Sequence, residues 1–184
     1  MKFIKSEIPE VVIVEPRLFN DDRGYFYESF SQEKFEENVV QTSFIQDNES
    51  KSTYGVLRGL HYQLPPFAQA KLVRVLKGEI LDFAVDIRKG SPTFGKHIKV
   101  RLSSDNKKQL FVPRGFAHGF VVLSETTEVA YKIDNTYSPK HEASIKFDDE
   151  ILGLDWEIDA KDIILSDKDE LAPNLGEAVV FENK

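Results

Sequence analysis

The sequence predicts an all-β fold, a double-sheet jelly roll with a few short peripheral helices, and three observations predict it. Apolar residues recur at period two in short runs rich in Val, Ile and Phe. Gly, Pro, Asp and Asn break those runs at regular intervals, and a 3.6-residue apolar stripe hardly ever persists. About ten such runs in one uninterrupted chain match what two packed antiparallel sheets require.

The expected strands, in order, are Val11–Glu15, Tyr25–Glu28, Ser43–Gln46, Val56–Tyr62, Lys71–Leu76, Glu79–Ile87, Ile98–Leu102, Gln109–Val112, His118–Leu123 and Glu128–Ile133. Asn20-Asp21-Asp22-Arg23-Gly24, Pro65-Pro66, Lys77-Gly78, Lys89-Gly90-Ser91-Pro92, Ser103-Ser104-Asp105-Asn106 and Pro113-Arg114-Gly115 separate them with turn chemistry. One helix is expected over Gln32–Val39, where Ser31 can accept from the free amide groups of the first turn and Glu33 sits favourably against the helix dipole. After about Pro139 the pattern weakens into polar segments, with Trp156 as an apolar anchor and a short turn near Ser166. No repeat or linker divides the chain, so residues 1–184 read as one domain with 140–184 as a peripheral C-terminal segment.

Composition narrows the chemistry. The 184 residues include no cysteine, which removes thiol nucleophiles, disulfides and cysteine-ligated zinc. Apolar runs are too short for a membrane span, and Met1–Glu7 has no hydrophobic leader pattern, so a cytoplasmic protein with no membrane partner is expected. A formal charge of -7 disfavours sequence-independent nucleic-acid binding. An anionic small molecule remains compatible with a local basic cluster, because screening over about 8 Å lets nearby cations outweigh a distant acidic surface.

Of four histidines, two lie in apolar strands beside glycines, in Gly59-Leu60-His61-Tyr62-Gln63 and Gly115-Phe116-Ala117-His118-Gly119-Phe120. Either could be a hydrogen-bonded core imidazole. Arg58 and Lys71 nearby shift the balance, since charged side chains in aliphatic strands call for a partner or a ligand. In a regular strand Arg58 and His61 would face opposite ways, and Gly59 between them could mark a bulge that re-aims one. These segments resemble the cupin jelly rolls, whose first motif carries a His-x-His pair. Here that motif reads His61-Tyr62-Gln63, and Lys71 stands where a glutamate ligand would be expected, so a divalent metal is poorly served.

A larger resemblance covers nearly the whole chain. It is carried by Glu15-Pro16, Asp22–Ser29, Phe44–Asn48, Gly55–Gln63, Ala70–Arg74, Asp86–Gly95, Pro113–Phe120, Tyr131-Lys132, Tyr137-Ser138-Pro139 and Leu165–Asp169. In order, these segments resemble the metal-free cupin branch of dTDP-4-dehydrorhamnose 3,5-epimerases. The resemblance implies no cofactor, a dTDP-4-keto-6-deoxy sugar substrate, and conversion of dTDP-4-dehydro-6-deoxy-D-glucose to dTDP-4-dehydro-L-rhamnose by inversion at C3 and C5. Such chemistry needs a base on one face of the sugar, a stabiliser for an enolate, and an acid on the other face.

Residue by residue, the resemblance assigns His61 as base, Asp169 as the carboxylate orienting it, Lys71 as the enolate-stabilising cation and Tyr131 as acid. A free imidazole titrates near pH 6.5 and can accept a proton at neutral pH. Ser166-x-x-Asp169 also fits a capping box opening a short turn. The same resemblance assigns substrate contacts to Arg23, Glu28, Gln46, Asn48, Arg58, Lys71, His118, Tyr137, Glu142 and Lys168, with Tyr137 stacking on thymine. It further implies a homodimer in which N-terminal segments cross over, so that Arg23 and Glu28 serve the neighbouring site. A single-carbon epimerase or ketoisomerase, a non-catalytic sugar-nucleotide-binding cupin and a metal-dependent oxygenase are the rival readings.

Overall fold

A computed structural model describes residues 1–182; the last two residues of the expected 1–184 unit lie outside the described residues. With strands numbered along the chain, one sheet has the order β1 (Lys2–Lys5), β2 (Val12–Glu15), β10 (Gln109–Val112), β7 (Lys71–Lys77), β12 (Thr126–Ile133), β5 (Gln46–Thr53). The second has the order β13 (Glu142–Ser144), β6 (Leu57–Gln63), β11 (Phe116–Val122), β8 (Glu79–Asp86), β9 (His97–Ser103). A hairpin of β3 (Phe19–Asp21) and β4 (Gly24–Phe26) stands apart from both. All pairings between these strands are antiparallel, and the two sheets form the expected jelly roll.

Three apolar clusters account for the burial. Val73, Val75, Val129, Ile80, Ala84, Phe120 and Val122 meet between the sheets. Leu57, Leu60, Leu81, Phe83, Val85 and Val121 point outward from the second sheet, and Ile145, Leu152, Trp156 and Leu175 of the C-terminal segment cover them. That double covering explains why β8 is buried on both faces instead of alternating. Helix α1 (Gln32–Asn38), capped by Ser31 Oγ accepting from the Lys34 amide, drives Phe35 onto Phe111 on the outer face of the first sheet. Burying one such aromatic contributes roughly 1.5–3 kcal/mol.

The structure departs from expectation at the polar elements. Ser43–Gln46 is not a strand: Phe44 packs on Phe30 and Phe35, and the strand begins only at Gln46, as the edge strand β5 with Ser52 as its one buried residue. An edge strand with both faces largely open offers no apolar alternation to read. Tyr25–Glu28 shortens to Gly24–Phe26 and forms a solvent-exposed hairpin. Strands β1 and β13 were not expected; they are four and three residues long, and each adds an edge to a sheet.

Candidate active site

Pairing of β6 with β11 sets the site. His118 stands opposite His61 and Phe120 opposite Arg58, so two steps on β11 match three on β6. The extra residue is a bulge at Gly59, whose φ of +135° suits glycine. A Cβ there would fall 2.4 Å from the Gly119 Cα. The bulge lets Leu57 and Leu60, three apart, share the outer cluster, while Arg58 and His61, also three apart, share the inner face. The parity conflict in the sequence is thereby resolved.

Two adjoining lobes, about 390 and 320 Å³ in volume, share His61, Lys71 and Tyr131. The first adds Gln46, Asn48, Tyr137 and Glu142; the second adds Arg58, His118 and Asp169, together with the apolar Leu57, Phe120, Ile164 and Leu165. His61 and His118 come from the second sheet. Lys71 and Tyr131 come from the facing sheet, where Tyr131 is opposite Val73, two residues from Lys71. A larger groove of about 630 Å³ lies near Lys5, Glu10, Thr42 and Arg114, but it holds none of the candidate residues. Chemistry, not size, identifies the site.

Asp169 reaches His61 from the short helix α2 (Asp167–Glu170), with its Oδ1 2.5 Å from His61 Nε2. Its Oδ2 accepts from the Ser166 hydroxyl at 2.9 Å, and Ser166 Oγ accepts from the Asp169 amide at 3.3 Å. Ser166 thus caps the turn while the Asp169 carboxylate reaches His61, and the two contacts coexist. Burial pulls the Asp169 carboxyl up, but the hydrogen bonds from His61 and Ser166 hold it below the usual carboxylate range. An ionised carboxylate only accepts, so His61 Nε2 is the donor in this bond, and Nδ1 is the nitrogen that carries the lone pair in the neutral imidazole.

Lys71 Nζ lies 3.5 Å from the His61 carbonyl oxygen. Burial lowers its pKa to about 8, against the opposing pull of Asp82 and Glu142. Burial likewise raises the Tyr131 phenol, opposed by the Arg58 charge and a hydrogen bond with Asn48, its register partner on β5. Arg58 Nε donates to Ser52 Oγ at 3.1 Å.

Sequence reasoning missed Asp82. Fully buried on β8, it meets His118 Nε2 at 2.9 and 3.1 Å through its two oxygens. Burial depresses His118, and the Asp82 carboxylate opposes that. The available signal was an aspartate in the apolar run Glu79–Asp86, on the strand face that also carries Ala84.

Other expected residues sit further out. Glu142 accepts from Lys168 at 2.5 Å and from the Tyr137 hydroxyl at 2.9 Å; Lys168 lines neither lobe itself. Arg23 and Glu28 are not brought to the site. Arg23 pairs with Asp21 at the exposed β3–β4 turn, and Glu28 pairs with Lys34. Among the described residues no group of three or more His, Asp or Glu is arranged to hold a metal ion, and no helix is long and apolar enough to cross a membrane.

A family model described as dTDP-4-dehydrorhamnose 3,5-epimerase matches residues 5–177. A dTDP-4-dehydrorhamnose 3,5-epimerase of Shigella flexneri is 56% identical over 92% of this chain and 93% of its own length. One from Salmonella typhimurium is 52% identical over 99% of this chain and 100% of its own. The crystal structure of dTDP-6-deoxy-D-glucose-3,5-epimerase from Legionella pneumophila, in complex with dTDP-4-keto-L-rhamnose, superposes with a TM-score of 0.95 at 45% identity, covering 100% of this chain and 98% of that one.

Proposed function

The chain belongs to the dTDP-4-dehydrorhamnose 3,5-epimerase family, and from that premise we propose that it converts dTDP-4-dehydro-6-deoxy-D-glucose to dTDP-4-dehydro-L-rhamnose. The observation that carries this reading is one pocket in which a histidine–carboxylate pair faces an enclosed ammonium and a phenol on the opposite wall. C3 and C5 both flank the C4 ketone, so the substrate's own carbonyl receives the electrons and no redox cofactor is called for.

In this account His61 takes the α-proton through Nδ1, and the C–H electrons move into the C4 carbonyl to give an enolate. Asp169 stabilises the resulting imidazolium without itself becoming the base. The Lys71 ammonium lies where the charge develops at O4; losing such a donor typically costs about 2.7–4 kcal/mol. Tyr131 returns a proton to the same carbon from the facing wall, and the ketone re-forms. Loss of the imidazolium proton to solvent and reprotonation of the phenolate reset the pair for the second carbon. Asp82 fixes His118 with Nε2–H donating, leaving its Nδ1 to accept from a sugar hydroxyl. Tyr137, Gln46, Asn48, Glu142 and Lys168 serve the nucleotide end, and Arg58 the diphosphate, whose paired non-bridging oxygens suit the planar guanidinium fork.

Arg23 and Glu28 complete the neighbouring site of a homodimer in this reading. What supports it is their distance from their own pocket and the exposed aromatic face of the hairpin, where Phe19, Tyr25 and Phe26 are 51%, 56% and 71% exposed. The test is an NMR time course of the purified protein with the 4-keto-6-deoxy-D-glucose nucleotide. Appearance of the L-rhamno ketose is expected; an unchanged substrate spectrum with the folded protein refutes the assignment.

A further inference from the structure

Gln63 stands where a metal-binding cupin motif would carry its second histidine, and its hydrogen-bonding capacity is spent on main chain. It is 4% exposed. Nε2 donates to the Phe67 carbonyl at 2.8 Å and to the Thr136 carbonyl at 3.1 Å, while Oε1 accepts from the Ser138 amide at 2.6 Å. An amide nitrogen has two protons, and both are used here, so Gln63 has no donor left for a substrate. Its partners belong to two loops, one following β6 and one following β12.

Those loops are joined at further points. Asn135 Nδ2 donates to the Pro66 and Ala68 carbonyls at 3.1 and 3.2 Å, Gln69 Nε2 donates to the Asn135 carbonyl at 2.8 Å, and Asp134 Oδ1 accepts from the Ala70 amide at 2.7 Å. The Leu64 amide donates to the His141 carbonyl at 2.8 Å, and the Phe67 and His141 rings lie 4.6 Å apart. Between the Gln63-bound Thr136 and Ser138 sits Tyr137, 54% exposed, at the mouth of the polar lobe.

We propose that Gln63 is a positioning residue for nucleotide recognition: by clamping the backbone on both sides of Tyr137 it holds that ring ready for the base. The inference rests on the reading of Tyr137 as the nucleotide-stacking residue. Pre-organisation of a loop acts on affinity, because a ring already in place loses less freedom when the ligand arrives. Proton transfer at His61, on the inner face two residues earlier, is left alone.

The test compares wild type, Gln63→Ala, Asn135→Ala, Tyr137→Ala and the Gln63→Ala/Tyr137→Ala double variant, measuring Kd for dTDP by calorimetry and kcat and KM for the keto-sugar nucleotide. Gln63→Ala is expected to raise Kd and KM about tenfold with kcat within about threefold of wild type. Asn135→Ala, at a half-buried position on the same clamp, gives a smaller change of the same kind and carries the test if Gln63→Ala does not fold. Because Gln63 acts through Tyr137, the double variant is expected to bind dTDP no more weakly than Tyr137→Ala alone. Additive losses, an unchanged Kd, or a fall in kcat at constant KM would overturn the proposal, as would a wild type that does not bind dTDP. If wild type binds dTDP but does not turn the sugar over, the epimerase reading fails, while the Kd series still decides the role of Gln63.

Discussion

Replacing Asp169 by asparagine preserves the side chain's shape and removes its charge. Asp169 Oδ1 faces His61 Nε2 at 2.5 Å and Oδ2 takes the Ser166 hydroxyl at 2.9 Å. Asparagine has one oxygen for two donors. If that oxygen stays on Ser166, the amide group donates to Nε2 and drives the ring proton onto Nδ1, where the base needs its lone pair. If the amide turns round, the tautomer survives but the imidazolium formed on proton abstraction has lost its counter-charge. A unit charge pair about 4 Å apart at an effective dielectric of about 20 is worth about 4 kcal/mol, which converts to about 10³ in rate. The wrong tautomer would take the loss to about 10⁴. The assay is kcat with saturating keto-sugar nucleotide, paired with a melting curve expected to move by only a few degrees because the Ser166 cap to the Asp169 amide remains. An Asp169→Asn variant that keeps kcat within tenfold of wild type would refute the histidine–carboxylate argument.

Three further outcomes are expected. As pH rises through about 8, kcat/KM should fall because the protonated form of Lys71 is the competent one; a rate still climbing towards pH 10 contradicts the enolate role. Gly59→Ala should lower stability by at least about 3 kcal/mol, since a Cβ would lie 2.4 Å from the Gly119 Cα at a φ of +135°; a melting temperature matching wild type would show that the bulge does not need glycine. Mixing Arg23→Ala with His61→Ala subunits should regain about a quarter of wild-type activity, because half the dimers are hybrids and each hybrid has one intact site if Arg23 crosses over; no gain on mixing would return Arg23 to its own subunit's site.

What the sequence made legible followed burial. Strands with an alternating or continuous apolar signal, such as Gln109–Val112 and Glu79–Asp86, were readable almost to the residue because the packing that orders them is written in their composition. Strand β5 was not, because an open edge selects polar residues and leaves no period to detect. His61, Lys71 and His118 stood out as polar groups in apolar strands, Tyr131 came only from the family resemblance, and Gly59 hinted at the bulge that brings Arg58 and His61 to one face. The pairing of Asp82 with His118 and the clamp around Gln63 were hidden because both depend on contacts between residues far apart in the chain. Arg23 and Glu28 mark a different limit: the resemblance assigned them to a substrate site, whereas in this chain they lie away from the pocket, paired with Asp21 and Lys34.

The central claim is that protons leave and return at carbons flanking a ketone, with His61 as the base. Running the reaction in D₂O and reading the sugar by mass spectrometry and NMR tests this directly. The account predicts deuterium at both C3 and C5 with wild type, and at neither with His61→Ala even though dTDP still binds. Label at a single carbon would contradict the double inversion, and product formed without label would contradict the enolate mechanism itself.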